Sequence, residues 1–102
     1  MPASTSAPTP ADVRHNPAQN RFELPIEGDV LAICVYRRDE EGRYVLLHTE
    51  VPDEYAGQGL ASTLAKGLFA MARAQGFSLV LRCPYMAAWY ARHPDYADVV
   101  AG

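Results

Sequence analysis

The chain is poor in cysteine. It has two in 102 residues, Cys34 and Cys83, and no C-x-x-C pair. That excludes a disulfide framework and a cysteine zinc site, and the two read as free thiols in a reducing cytoplasm. Its three histidines, His15, His48 and His93, are scattered, so no metal constellation is expected. No apolar run approaches the ~20 residues of a membrane span. The start "MPASTSAPTPAD" lacks both a basic segment and an apolar core, and does not read as a secretory signal. Positive charge is scarce: nine Lys and Arg against twelve Asp and Glu leave a net charge of −3. This argues against a nucleic-acid footprint. A Walker nucleotide site is excluded too, because no G-x-x-x-x-G-K-[ST] occurs.

What is present is an ordinary globular composition, 49% apolar and 21% charged, with length for one domain. Residues 1–12 are Pro, Ala, Ser and Thr with little to bury, which predicts a disordered tail before a domain at 13–102. "RFELPIEG" (Arg21 to Gly28) alternates as a strand, and Pro25 implies an edge or a bulge. "VLAICVYRR" (Val30 to Arg38) is a nearly continuous apolar run, which predicts a strand covered on both faces. "RYVLLHTEV" (Arg43 to Val51) is a third strand. Leu60, Leu64, Leu68 and Met71 then recur at helical spacing, predicting a helix from near Gln58 to Gln75, stopped by Gly76. "FSLVLRC" (Phe77 to Cys83) is a short strand, and Pro84 opens a second helix that Pro94 stops. The ending "DYADVV" fits a last turn or a short strand. Hairpin-length links make the first three strands antiparallel, whereas the long helix makes the third and fourth parallel. The expected fold is an α/β domain of the α+β kind. Its mixed sheet has antiparallel N-terminal strands, then a parallel βαβ crossover and a C-terminal helix.

The turn "VPDEYAGQGLAS" (Val51 to Ser62) places Gly57 and Gly59 at the helix start, where Ser, Thr, Asp or Asn usually caps. Free N–H groups and the helix dipole favour an anion there. Gly57, Gly59 and the small Ala61 leave the backbone accessible, and Ser62 and Thr63 add hydroxyls. From these residues alone, a phosphate cradle and a turn that only redirects the chain are both open. A dinucleotide fingerprint fails at its third glycine, where Ser62 stands.

The segment "HTEVPDEYAGQGLASTLAKGLFAMARAQG" resembles the acetyl-CoA-binding motif of the GNAT superfamily of N-acetyltransferases, [QR]-x-x-G-x-[GA]. Gly59, Leu60 and Ala61 match its last three positions, and Ala56 stands where the motif has Gln or Arg. The closest likeness is to small single-domain GNAT-like proteins, with "HTEVP", a glycine turn, a later "CP" and "RHP" in order. It extends over roughly Val13 to Val100. The resemblance implies acetyl-CoA as donor and an amine of unidentified kind, small molecule or protein, as acceptor. It places pantetheine between two splayed parallel strands, beside the main chain of Glu50 and Val51. It places the pyrophosphate on Gly57, Gln58, Gly59, Leu60, Ala61 and Ser62. The superfamily pattern N-x-x-A-x-x-L-Y falls on Cys83, Met86, Trp89 and Tyr90, which makes Tyr90 the expected proton donor to the thiolate. Cys83 stands where Asn is usual, at a strand end before a helix, and is a candidate acetyl acceptor. Cys34, mid-strand, reads as core. His48 and Glu50, two apart on one strand, share a face and are candidate proton acceptors. A CoA-binding or protein-interaction module without turnover is the alternative reading.

Overall fold

The structure is a computed structural model and describes residues 7–102. Five strands form one sheet in the order β1 (Arg14–Asn16), β2 (Arg21–Glu27), β3 (Val30–Arg38), β4 (Tyr44–Glu50) and β5 (Leu79–Leu81). Neighbours from β1 to β4 are antiparallel; β4 and β5 are parallel and are joined through α1 (Leu60–Gln75). α2 (Pro84–Arg92) leaves directly from β5. The sheet is therefore mixed, with one parallel crossover.

Both helices lie on one face. Leu60, Leu64, Leu68, Phe69 and Ala72 of α1, with Met86 and Trp89 of α2, share a single buried core with Phe22, Leu24, Cys34 and Leu46 of the sheet. That one-sidedness corrects the expectation for β3. Ala32, Cys34 and Tyr36 are buried, whereas Leu31, Ile33 and Val35 on the opposite face are only half-buried. A continuous apolar run does not distinguish a strand covered twice from one with a moderately apolar open face.

Pro25 sits beyond the last pairing of β1 with β2, at Arg14 and Glu23, so its missing N–H costs no ladder bond; the register shifts between Pro25 and Glu27. A second bulge lies in β4. Tyr36 faces Leu46 and Val35 faces His48, which leaves Leu47 as the extra residue. The bulge leaves both Leu46 and Thr49 on the helix side, and sends His48 and Glu50, opposite Val35 and Ile33, to the other face.

The N-terminal end also differs from expectation. Of the tail expected at 1–12, residues 1–6 lie outside the described residues. Pro10–Asp12 form a 3₁₀ turn in which the Asp12 carboxylate accepts from the Thr9 N–H at 2.8 Å. This turn packs on α1 where Gly67 has no side chain to obstruct Pro10 and Val13. At the other end "DYADVV" forms the last turn and not a strand: Pro94–Val99 are 3₁₀, and Val100 makes only an isolated bridge to Leu79. Among the described residues no helix is long and apolar enough to cross a membrane, and no cluster of His, Cys, Asp and Glu could hold a metal ion.

Candidate active site

β4 and β5 pair only from Tyr44 to Leu46 and from Leu79 to Leu81. There the ladder stops. The Leu46 carbonyl accepts from the N–H groups of Arg82 at 3.1 Å and Cys83 at 2.8 Å, while β5 turns into α2 and β4 runs on to Glu50. Beyond Leu46, β4 has no strand beside it on that side. The two chains form a fork.

At its mouth is a groove of about 320 Å³. Its walls are Val51 just past β4, Tyr55 and Ala56 of the following loop, and Tyr85 in the first turn of α2. Gly57, Gly59, Leu60, Ala61 and Ser62 complete it, so that the start of α1 opens into the groove. Gly59 is the N-cap in the left-handed region, φ 75°, and Gly57 has φ 81°. A side chain at either would point into open space, so backbone conformation is what demands glycine here. No side chain caps the helix. The first intrahelical bond is from the Thr63 N–H to the Gly59 carbonyl at 3.1 Å, which leaves the N–H groups of Leu60, Ala61 and Ser62 without a protein partner among the described residues. The Thr63 hydroxyl, expected as a free donor, also donates to the Gly59 carbonyl at 3.1 Å and is occupied. The loop wall is pinned by the Tyr55 hydroxyl, which donates to Glu27 at the end of β2.

A strand pair that parts after three residues, over an uncapped helix start with glycines on its open side, is the architecture that the sequence resemblance implied. The sequence model of the family described as GCN5-related N-acetyl-transferase matches residues 21–99. The chain belongs to this family. Protein NATD1 of Gallus gallus is 29% identical over 86 residues, which are 83% of this chain and 78% of that protein. Protein NATD1 of Mus musculus is 28% identical over 94 residues, 91% of this chain and 86% of that protein. The solution structure of a GCN5-like protein from Staphylococcus aureus superposes with a TM-score of 0.65 at 25% identity, covering 90% of this chain and 89% of that one.

Within this acetyltransferase fold the expected site residues separate into groups. Val51, Gly57, Gly59, Leu60, Ala61 and Ser62 line the groove. Glu50 and Gln58 are neighbours of its walls in sequence but do not line it. His48 and Glu50 are together, Nε2 to Oε2 at 2.7 Å, on the exposed face of β4. Cys83 is N-cap of α2 but only 2% exposed, and its Sγ contacts the Thr49 hydroxyl at 3.4 Å on the core side of the fork. Burial pushes the Cys34 thiol up to about 12, against a hydrogen bond from Thr49. Cys34 is thus an inert core residue. Tyr90 is half-buried with its ring parallel to Phe69, centroids 6.4 Å apart; Tyr85 is the tyrosine of α2 in the groove wall. Tyr55 and Tyr85 are wall residues that sequence reasoning did not assign to the coenzyme. Only a helical wheel for α2 drawn from the Pro84 start would have hinted at Tyr85, and nothing local marks Tyr55.

Proposed function

We propose that the chain transfers an acetyl group from acetyl-CoA to an amine. The observation that carries this reading is the start of α1, with three unpartnered N–H groups facing the groove beneath Gly57 and Gly59. The residues fit the coenzyme. The loop Gly57–Gln58–Gly59 and the N–H groups of Leu60, Ala61 and Ser62 would hold the pyrophosphate. Val51, with the main chain of Glu50, would flank the pantetheine arm along the free edge of β4. Once bound, the coenzyme supplies an activated thioester.

The acceptor then approaches from the opposite face of the sheet, where His48 stands. With its Nε2–H donated to Glu50, His48 keeps the Nδ1 lone pair to take a proton from the acceptor's ammonium before attack, or from the amine nitrogen as its lone pair bonds to the acetyl carbon. Glu50 orients the ring. The departing thiolate needs a proton, and we assign it to Tyr85 in the groove wall, rather than Tyr90 packed on Phe69. The burial of Cys83 supports direct transfer without an acetyl-cysteine.

Isothermal calorimetry with CoA tests the cradle. Saturable binding is expected, weakened at least about tenfold in Gly59→Val, since a branched residue is strained at φ 75° and the turn that carries the cradle would shift. Absence of binding by the native chain would overturn the reading. Thiol release measured against a panel of amines and basic peptides tests turnover. Binding without release in every case would reduce the chain to a coenzyme-binding module. For the direct route, Cys83→Ala is expected to retain most activity, and mass spectrometry to find no acetyl on Cys83; a stable adduct there would refute it.

A further inference from the structure

Trp89 is the one tryptophan of the chain and is 1% exposed, yet its indole N–H reaches across to α1 and donates to Ser62 Oγ at 3.1 Å. We infer that Trp89 is a positioning residue for the phosphate cradle: it fixes Ser62 as a hydrogen-bond donor into the groove. The inference rests on the reading of this groove as the coenzyme site.

A serine hydroxyl has one proton to give and lone pairs to accept with, whereas an indole N–H can only donate. Ser62 must therefore accept from Trp89, and its own proton is directed elsewhere. In a helix the usual outlet is the carbonyl four residues back. Thr63, the next residue, does this with Gly59. Ser62 makes no such bond among the described residues, and it lines the groove. Its proton is left for whatever sits over the N–H groups of Leu60, Ala61 and Ser62. The same turn thus has one hydroxyl tied to the backbone and one held free by an indole.

The indole is itself held by close packing. Phe69 packs against it at 4.9 Å, and His93 stacks on it at 3.9 Å. His93 Nδ1–H donates to the Trp89 carbonyl at 2.8 Å, which closes the end of α2 onto the ring. A hydroxyl whose orientation is set before the ligand arrives loses less freedom on binding.

The test is a double-mutant cycle on CoA affinity with Trp89→Phe and Ser62→Ala. Each single variant is expected to weaken CoA binding roughly tenfold, the scale of one hydrogen bond to a charged group. The double variant is expected to be no weaker than either single, because both remove the same donor. Ser62→Thr, which keeps a hydroxyl, should restore binding. The lone indole N–H resonance should also shift in Ser62→Ala and on titration of the native chain with CoA. A purely structural Trp89 would lower thermal stability without coupling to Ser62 in binding. Native-like affinity in Trp89→Phe, or losses that multiply in the double variant, would overturn the inference. If Trp89→Phe does not fold, an indole resonance unmoved by saturating CoA would do the same. A native chain that binds no CoA fails the underlying reading instead, and that outcome is separable because it precedes any variant.

Discussion

At Gly59, φ is 75° and a side chain would meet nothing within 4 Å, so the cost of any substitution comes from the backbone. Gly59→Ala is expected to lose about 1 kcal/mol in urea unfolding, the penalty of placing an L-residue in the left-handed region. The proposed chemistry divides over His48 and Glu50, paired by their spacing on β4, and Tyr85, which no local pattern ties to them. His48→Gln and Tyr85→Phe are each expected to lower kcat while leaving the KM for acetyl-CoA within about threefold, because neither holds the phosphates. Tyr90→Phe is the informative control: with its ring on Phe69, it should change stability slightly and kcat little. A large kcat loss in Tyr90→Phe with none in Tyr85→Phe would reverse that assignment. His48 and Glu50 were legible as partners from their spacing, but their face was not. It depends on Leu47, the bulged residue between two registers, which only pairing with β3 defines.

The elements were legible in proportion to how locally they are determined. α1 declares itself through Leu60, Leu64 and Leu68 and ends at Gly76, whose N–H returns to the Ala72 carbonyl at 2.8 Å. β1 does not declare itself. It has three residues, and what holds it is distant: Arg14 and Asn16 donate to Glu23 at 3.0 and 2.8 Å, and His15 stacks on Phe22 at 4.6 Å. The N-terminal turn was misread for the same reason, since its partner is Gly67, more than fifty residues on. Gly67→Ala tests that contact. Alanine favours an isolated helix by about 1 kcal/mol, but here its methyl would run into Val13 and the Pro10 carbonyl. We expect net destabilisation of about 1–3 kcal/mol in thermal melts and faster proteolytic removal of the segment before β1. A more stable variant would show that the turn does not dock on α1.

For the molecule as a whole, two titrations act in the same direction. Glu23 is 3% exposed; burial raises its pKa, but hydrogen bonds from Asn16, Arg21 and Arg14 outweigh that and bring it from 4.5 to about 2. Its contribution is complete above the ordinary glutamate range and is lost as pH falls from about 4.5 toward 2, at most about 3 kcal/mol in all. His15 is lowered by burial and then by Arg38, and it bonds the Tyr36 hydroxyl at 2.6 Å. A histidine held neutral by the fold stabilises above its ordinary range, and that stability drains as pH falls below 6.5. Urea midpoints should therefore fall in two steps on acidification, His15 first. Glu23→Gln should flatten the lower step and His15→Phe the upper. A single step unchanged by either variant would refute both assignments.

The Leu46 carbonyl, holding two N–H groups at the point where β4 and β5 part, gives the fork a fixed vertex. From there to the start of α1 the chain runs through one stretch, Leu47 to Gly59, whose loop is tied to Glu27 by Tyr55. With the coenzyme bound as proposed, a fork closed at this vertex and lined by backbone donors at its far end would work as a gauge. In the proposed binding mode it would select the donor by the length of its arm, and an acyl group longer than acetyl would have to find its extra room beyond the vertex or on the acceptor's side.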